Sequence, residues 1–154
     1  MLTAQQIFDR VVAHIRAQRE QAKTKGTCGY RITRKGKPLM CVVGCLIPNK
    51  AYSPQIEGLV VDNILCRNPD ELKAAFYADS ALLTFARGLE AGGVPYELHS
   101  LRMLSHLQSA HDSYDKAWAS VSFIESFEEH AEQIALRFGV TYTPPTRSKE
   151  KTHV

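Results

Sequence analysis

The sequence predicts an α+β fold: a mainly helical single domain with one N-terminal β-hairpin. Three observations predict it. Apolar residues recur at helical spacing in three long segments, 3–23, 96–112 and 116–139. TCGYRIT and PLMCVVGCL alternate with period two on either side of RKGK, as hairpin strands do. The chain has 154 residues, 44% hydrophobic and 23% charged, which is enough to bury one core without disulfides or a metal. Residues 1–142 are expected to form the globular domain, with helix 3–23, hairpin 27–47 and a helical remainder. TPPTRSKEKTHV, residues 143–154, is expected to be a flexible polar tail, too poor in apolar side chains to order itself.

Thr3 and Gln6 form a capping box for the first helix, and Ile7, Val11 and Ile15 fall on one face. The helix is expected to run to Lys23, with Gly26 beyond it. In the hairpin, Lys35-Gly36 is the turn, because Gly36 readily takes the positive φ that tight hairpin turns demand. Cys28, Tyr30 and Ile32 should then share a face with Leu39, Cys41 and Val43, and with Cys45 if the strand continues. Pro38 opens the second strand, where its missing N–H does least harm.

PNKAYSPQIEG, residues 48–58, is a loop by composition. LVVDNILC, 59–66, reads as a short helix, and Asn68-Pro69-Asp70 as the start of the next. Ser80 is expected to cap ALLTFARGLEA, which Gly92-Gly93 and Pro95 close. Leu101, Leu104, Leu107 and His111 repeat at helical spacing. Asp115 is the expected cap of the last helix, which carries Trp118, Val121, Ala131, Ile134 and Phe138 and stops at Gly139.

The net charge of +3 hides an asymmetry: residues 1–50 hold ten Lys/Arg against two Asp/Glu, and residues 51–142 six against thirteen. A basic front end points to an anionic partner, and an acidic body argues against wrapping nucleic acid all round. No run of eighteen apolar residues is present, so no membrane partner is expected. MLTAQQIFDR lacks the basic-then-apolar order of a signal peptide, so the expected location is a cytoplasm, with reduced thiols.

Four constellations are candidates for chemistry. Cys28, Cys41 and Cys45, with a histidine as fourth ligand, offer an alternative zinc site. The C-x₃-C spacing with Val42 and Val43 inside fits core cysteines better, and Cys66 stands alone. No cofactor is therefore expected, zinc being the alternative. A cysteine nucleophile needs a nearby histidine or a helix N-terminus to lower its pKa, and the LIP after Cys45 does not read as a helix start.

His111-Asp112 is an adjacent His-Asp pair on a helix, the metal-binding core of HD phosphohydrolases, where the bound ion activates water. Those enzymes also use a later aspartate, and none follows Asp115 here. The competing reading is structural: His111 ends the leucine stripe near the helix C-terminus, where a cationic imidazole is favoured. Arg16, Arg19, Lys23, Arg31, Arg34, Lys35 and Lys37 form the basic cluster expected to meet a partner, with nucleic acid as one possibility. No Walker A loop, dinucleotide fingerprint, G-x-S-x-G elbow or H-E-x-x-H helix is present.

Cys41-Val-Val-Gly44-Cys45-Leu46-Ile47-Pro48, followed by Tyr52 and Glu57-Gly58, resembles a family of small uncharacterised phage and prophage proteins. That family has a Cys-x-x-Gly-Cys-Leu-Ile-Pro segment and a later Leu-Gln-x-x-His-Asp, here Leu107 to Asp112, with Trp118 beyond. The resemblance implies a virus-encoded protein acting inside a bacterial cell. Small phage accessory proteins often bind and redirect a host protein, so a host protein is the expected partner. The alternatives are a metal-dependent phosphohydrolase using His111 and Asp112, and a nucleic-acid-binding protein using the basic hairpin. Cys41, Gly44, Cys45, Pro48, His111 and Trp118 are expected to be structural.

Overall fold

A computed structural model of the chain describes residues 1–65 and 69–146, apart from the side chains of Pro69, Leu72, Lys73 and Phe76. It is a single small domain, mainly helical, with small antiparallel β-ribbons. Cys66, the Asn68 helix start and residues 147–154 of the expected tail lie outside the described residues. No helix among the described residues is long and apolar enough to cross a membrane.

Helix α1, Ala4–Gln18, starts on the expected box: Thr3 Oγ1 accepts the Gln6 N–H and Gln6 Oε1 accepts the Thr3 N–H. It stops earlier than Lys23, because Arg19 turns left-handed (φ 58°) and its N–H still reaches the Ile15 carbonyl. The residues freed by that early stop make a separate two-residue ribbon, β1 (Lys23–Thr24) with β2 (Thr27–Cys28). Lys25 and Gly26, both at positive φ, make its turn.

The second ribbon pairs β3 (Arg31–Arg34) with β4 (Lys37–Met40). Lys35 and Gly36 both have positive φ, as a type I′ turn requires. Ile32 sits opposite Leu39, so these two share a face as the alternation predicts. The strands are shorter than the expected 27–47. Cys28 belongs to the other ribbon, and the second strand ends at Met40.

Residues 41–47 therefore form turns rather than a strand, yet they are core: Cys41, Val42, Val43, Leu46 and Ile47 are all buried. The glycines explain how a loop packs there. A Cβ on Gly44 would lie 2.0 Å from the Tyr30 carbonyl oxygen, and one on Gly92 would lie 1.9 Å from that of Leu46. Only bare backbone fits at either contact. Pro48 then leads into a short 3₁₀ turn, Asn49–Ala51.

Helices α2 (Asp62–Leu65), α3 (Pro69–Ala78), α4 (Ser80–Ala91), α5 (Leu98–Asp112) and α6 (Phe123–Phe138) complete the domain. Asp79, not Ser80, caps α4, because its carboxylate accepts the N–H groups of both Ala81 and Leu82. The last helix begins at Phe123, eight residues after Asp115. Asp115 holds only one turn, its carbonyl accepting from Trp118 and Ala119. Ser122 and Glu125 form a full capping box and win the start. Trp118 is left 89% exposed and is not the structural residue expected of it. Helix α5 packs against both α1 and α6, and Leu101, Met103, Leu104 and Leu107 meet Ile7, Val11, Ile15, Phe127 and Ala131 in one core.

Gly44→Ala drives a methyl into a carbonyl that cannot retreat. It should cost about 3 kcal/mol, the top of the overpacking range, read as a lowered urea midpoint at unchanged m. Cys41→Ser buries a hydroxyl in an apolar site and should cost about 1–3 kcal/mol in the same measurement.

Candidate functional site

The cysteines do not share a face. Cys41 is buried in the central loop, and Cys45 donates its thiol to the Val42 carbonyl. Cys28 instead lies against the end of α5, where Cys28 Sγ, a ring nitrogen of His111 and a carboxylate oxygen of Asp112 all fall within 4.8 Å of one another. The fold thus joins one member of the cysteine set to the His-Asp pair.

The hydrogen bonds give these atoms a structural task. The His111 ring is fully buried. The Ala22 N–H donates to its Nε2 at 3.2 Å, and Nδ1 faces Asp112 Oδ1 at 2.7 Å. A ring nitrogen that accepts an N–H carries no proton, so Nδ1 holds the hydrogen and donates it to Asp112. The imidazole is therefore neutral, not the cation expected from its place at the helix end. A cation on Nδ1 would move the ring proton to Nε2, pointing it at the buried Ala22 N–H. The donor set fits a metal poorly for that reason.

Gln21 completes the clamp. Its side-chain amide donates to the carbonyl of His111 (2.6 Å), which the last turn of α5 leaves without a helical partner, and to that of Tyr114 (3.2 Å), just past the helix. Residues 21 and 22 thus hold the end of α5 to the segment after α1. The thiols are not activated. Burial, then the Asp112 charge, pushes Cys28 up to about 12, burial pushes Cys45 up to about 12, and burial raises Cys41 well above its ordinary value. None of these three is a thiolate near neutrality, so a cysteine nucleophile has no support among the described residues.

The seven basic residues divide into two groups. Arg16 and Arg31 are used inside the fold. Arg16 pairs with Glu128 through two bonds, 2.6 and 2.9 Å, and donates to the Thr143 carbonyl at 2.7 Å. Thr143, assigned to the flexible tail, is thus anchored. Burial raises the Glu128 carboxyl, but the bonds from Arg16 and Tyr142 and the Arg16 charge outweigh it and leave the group below its ordinary value. Arg31 stacks on Tyr52 at 4.4 Å and donates to Asn49 and to the Ile47 carbonyl. Its backbone N–H and that of Tyr30 are both taken by the Glu57 carboxylate, a role for which the sequence carries no local sign.

The other five, Arg19, Lys23, Arg34, Lys35 and Lys37, line one open groove of about 890 Å³ between the two ribbons and the segment joining α5 to α6. Lys25 and Lys116 join them, and Glu20 and Asp115 are the acids present. Glu20 is held below its ordinary carboxylate value by hydrogen bonds from Lys37 and then Arg34. Lys116 could not be found by scanning the basic run, since it comes from the far half of the chain.

No family model matches the chain, and neither a curated protein nor a solved structure matches it.

The folded Glu128 carboxyl titrates below its unfolded value, ordinarily 4.5, so the Arg16 pair contributes its full stability above that pH and loses it as pH falls further. Glu128→Gln should melt lower than the parent at pH 7, and the gap should narrow in melts run down to pH 3. His111→Ala leaves the buried Ala22 N–H without a partner and opens a cavity beside Phe123. It should cost about 3 kcal/mol or more in chemical denaturation.

Proposed function

We propose that the protein is a binding module that takes an acidic surface of a host-cell protein into the basic groove. The observation that carries this reading is the lining: seven Lys/Arg side chains against two carboxylates, one of them already shared by Arg34 and Lys37. A concave surface of one sign concentrates field and speeds association with a partner of the other sign. The resemblance to small phage and prophage proteins supports a host protein as that partner. The His111-Asp112 enzyme is the weaker reading, because the hydrogen bonds there already use the ring nitrogens that chemistry would need.

The double variant Lys35→Glu/Lys116→Glu reverses two charges from opposite walls of the groove. Anisotropy titrations of a labelled polyglutamate peptide should show binding to the parent and a loss of roughly tenfold or more in the variant, with an unchanged melting curve. A single-stranded oligonucleotide held more tightly than the peptide, with a log–log salt slope of about −0.7 per phosphate neutralised, would move the reading to nucleic acid. Metal-dependent hydrolysis of a phosphate ester, lost in a folded His111→Ala, would overturn both.

A further inference from the structure

A second groove, of about 840 Å³, lies on another part of the surface, along α5 and the last turn of α6, with Asp62 and Leu65 of α2 at its edge. Helix α5 sends His99, Arg102 and His106 into it at spacings of three and four, which places them on one side of the helix. Helix α6 adds Arg137 and Phe138. The Phe138 ring organises the set: the His99 ring lies 5.5 Å from it, the His106 ring 5.4 Å, and the Arg137 guanidinium carbon 5.9 Å.

These side chains have donors to spare. Among the described residues, His99, Arg102, His106 and Arg137 make no hydrogen bond or ion pair with one another or with any other described residue. The carboxylate in the lining, Asp62, accepts from Ser105 Oγ at 2.5 Å. The groove spans the first turn of α5, where free N–H groups carry partial positive charge, and the last turn of α6, where Arg137 offsets the opposite sign.

We propose that this groove binds a phosphomonoester. Arg102 and Arg137 would grip the terminal phosphate, His99 and His106 would complete its shell, and the organic group would lie against Leu65, Leu98 and Phe138. Two guanidinium forks and two imidazoles offer about six N–H donors, more than the roughly four lone-pair sites of a carboxylate, and a phosphodiester brings only two free oxygens and a single charge. A monoester presents three terminal oxygens and a charge of about −1.5 to −2, which matches the donor set. The site stands apart from the groove of residues 19–37 and does not depend on its function.

The test is calorimetric titration of the full chain with phenyl phosphate and, separately, with diphenyl phosphate. Phenyl phosphate should bind, and diphenyl phosphate should bind at least tenfold more weakly. Arg102→Gln and Arg137→Gln should each weaken phenyl phosphate roughly tenfold, while Lys35→Glu/Lys116→Glu should leave it unchanged. Both arginines are exposed, so the variants should melt like the parent. Arg102→Lys keeps the charge, loses the fork and should also weaken binding. Failure of phenyl phosphate to bind at millimolar concentration, equal binding of the diester, or binding that survives Arg102→Gln and Arg137→Gln would overturn the proposal. So would binding lost only in the Lys35/Lys116 variant.

Discussion

A loop runs through the middle of this domain, and burying a loop sets the terms for everything around it. Backbone N–H and C=O groups removed from water need partners, and residues 41–47 have no ladder to supply them. The chain meets that demand piecemeal. The Cys45 N–H returns to the Cys41 carbonyl, the Leu46 N–H to that of Val43, and Arg31 reaches in to the Ile47 carbonyl. Just before the loop, the Gln18 side-chain amide pairs with both backbone groups of Met40, as a strand would. Gly44 and Gly92 let backbone touch backbone on two sides. Helices α1 and α4 and the second ribbon are thereby held to one short segment.

The same demand divides the positive charge. Arg16 and Arg31 sit where carbonyls, a carboxylate and aromatic faces need a planar donor, and the guanidinium suits that work better than an ammonium. The lysines, with Arg19 and Arg34, line the open groove, where Lys37 and Arg34 share Glu20. A basic first third of the chain is thus partly a framework and partly a surface, and net charge alone does not separate the two.

Much of the architecture was legible because it depends on neighbours in sequence. The capping box at Thr3, the turn at Lys35-Gly36 and the leucine repeat of α5 are local patterns, and each marks an element that forms. What was not legible depends on distant residues. Nothing near Arg19 says that α1 must stop there. The reason lies in α5, whose end Gln21 and Ala22 must reach. The sequence places Trp118 on the last helix, but the box at Ser122 starts that helix beyond it. Cys28 was grouped with Cys41 by strand alternation. Its real neighbours, His111 and Asp112, come from more than eighty positions away. The basic cluster was visible as a run, but its division into half-buried arginines tied into the fold and a groove, and the recruitment of Lys116, are properties of the folded surface.

The two ends of the described chain are fastened to each other. The Leu2 N–H binds the Gly93 carbonyl, Gln5 exchanges hydrogen bonds with both backbone groups of Thr141, and Arg16 holds Glu128 and Thr143. During synthesis, α1 leaves the ribosome before α5 and α6, the helices it packs against. An amphipathic helix of fifteen residues is marginal by itself in water, so its apolar face waits exposed while the rest is translated. Closure of the domain is then a late, long-range event, and the interval before it is when the nascent chain is open to proteases and to a chaperone.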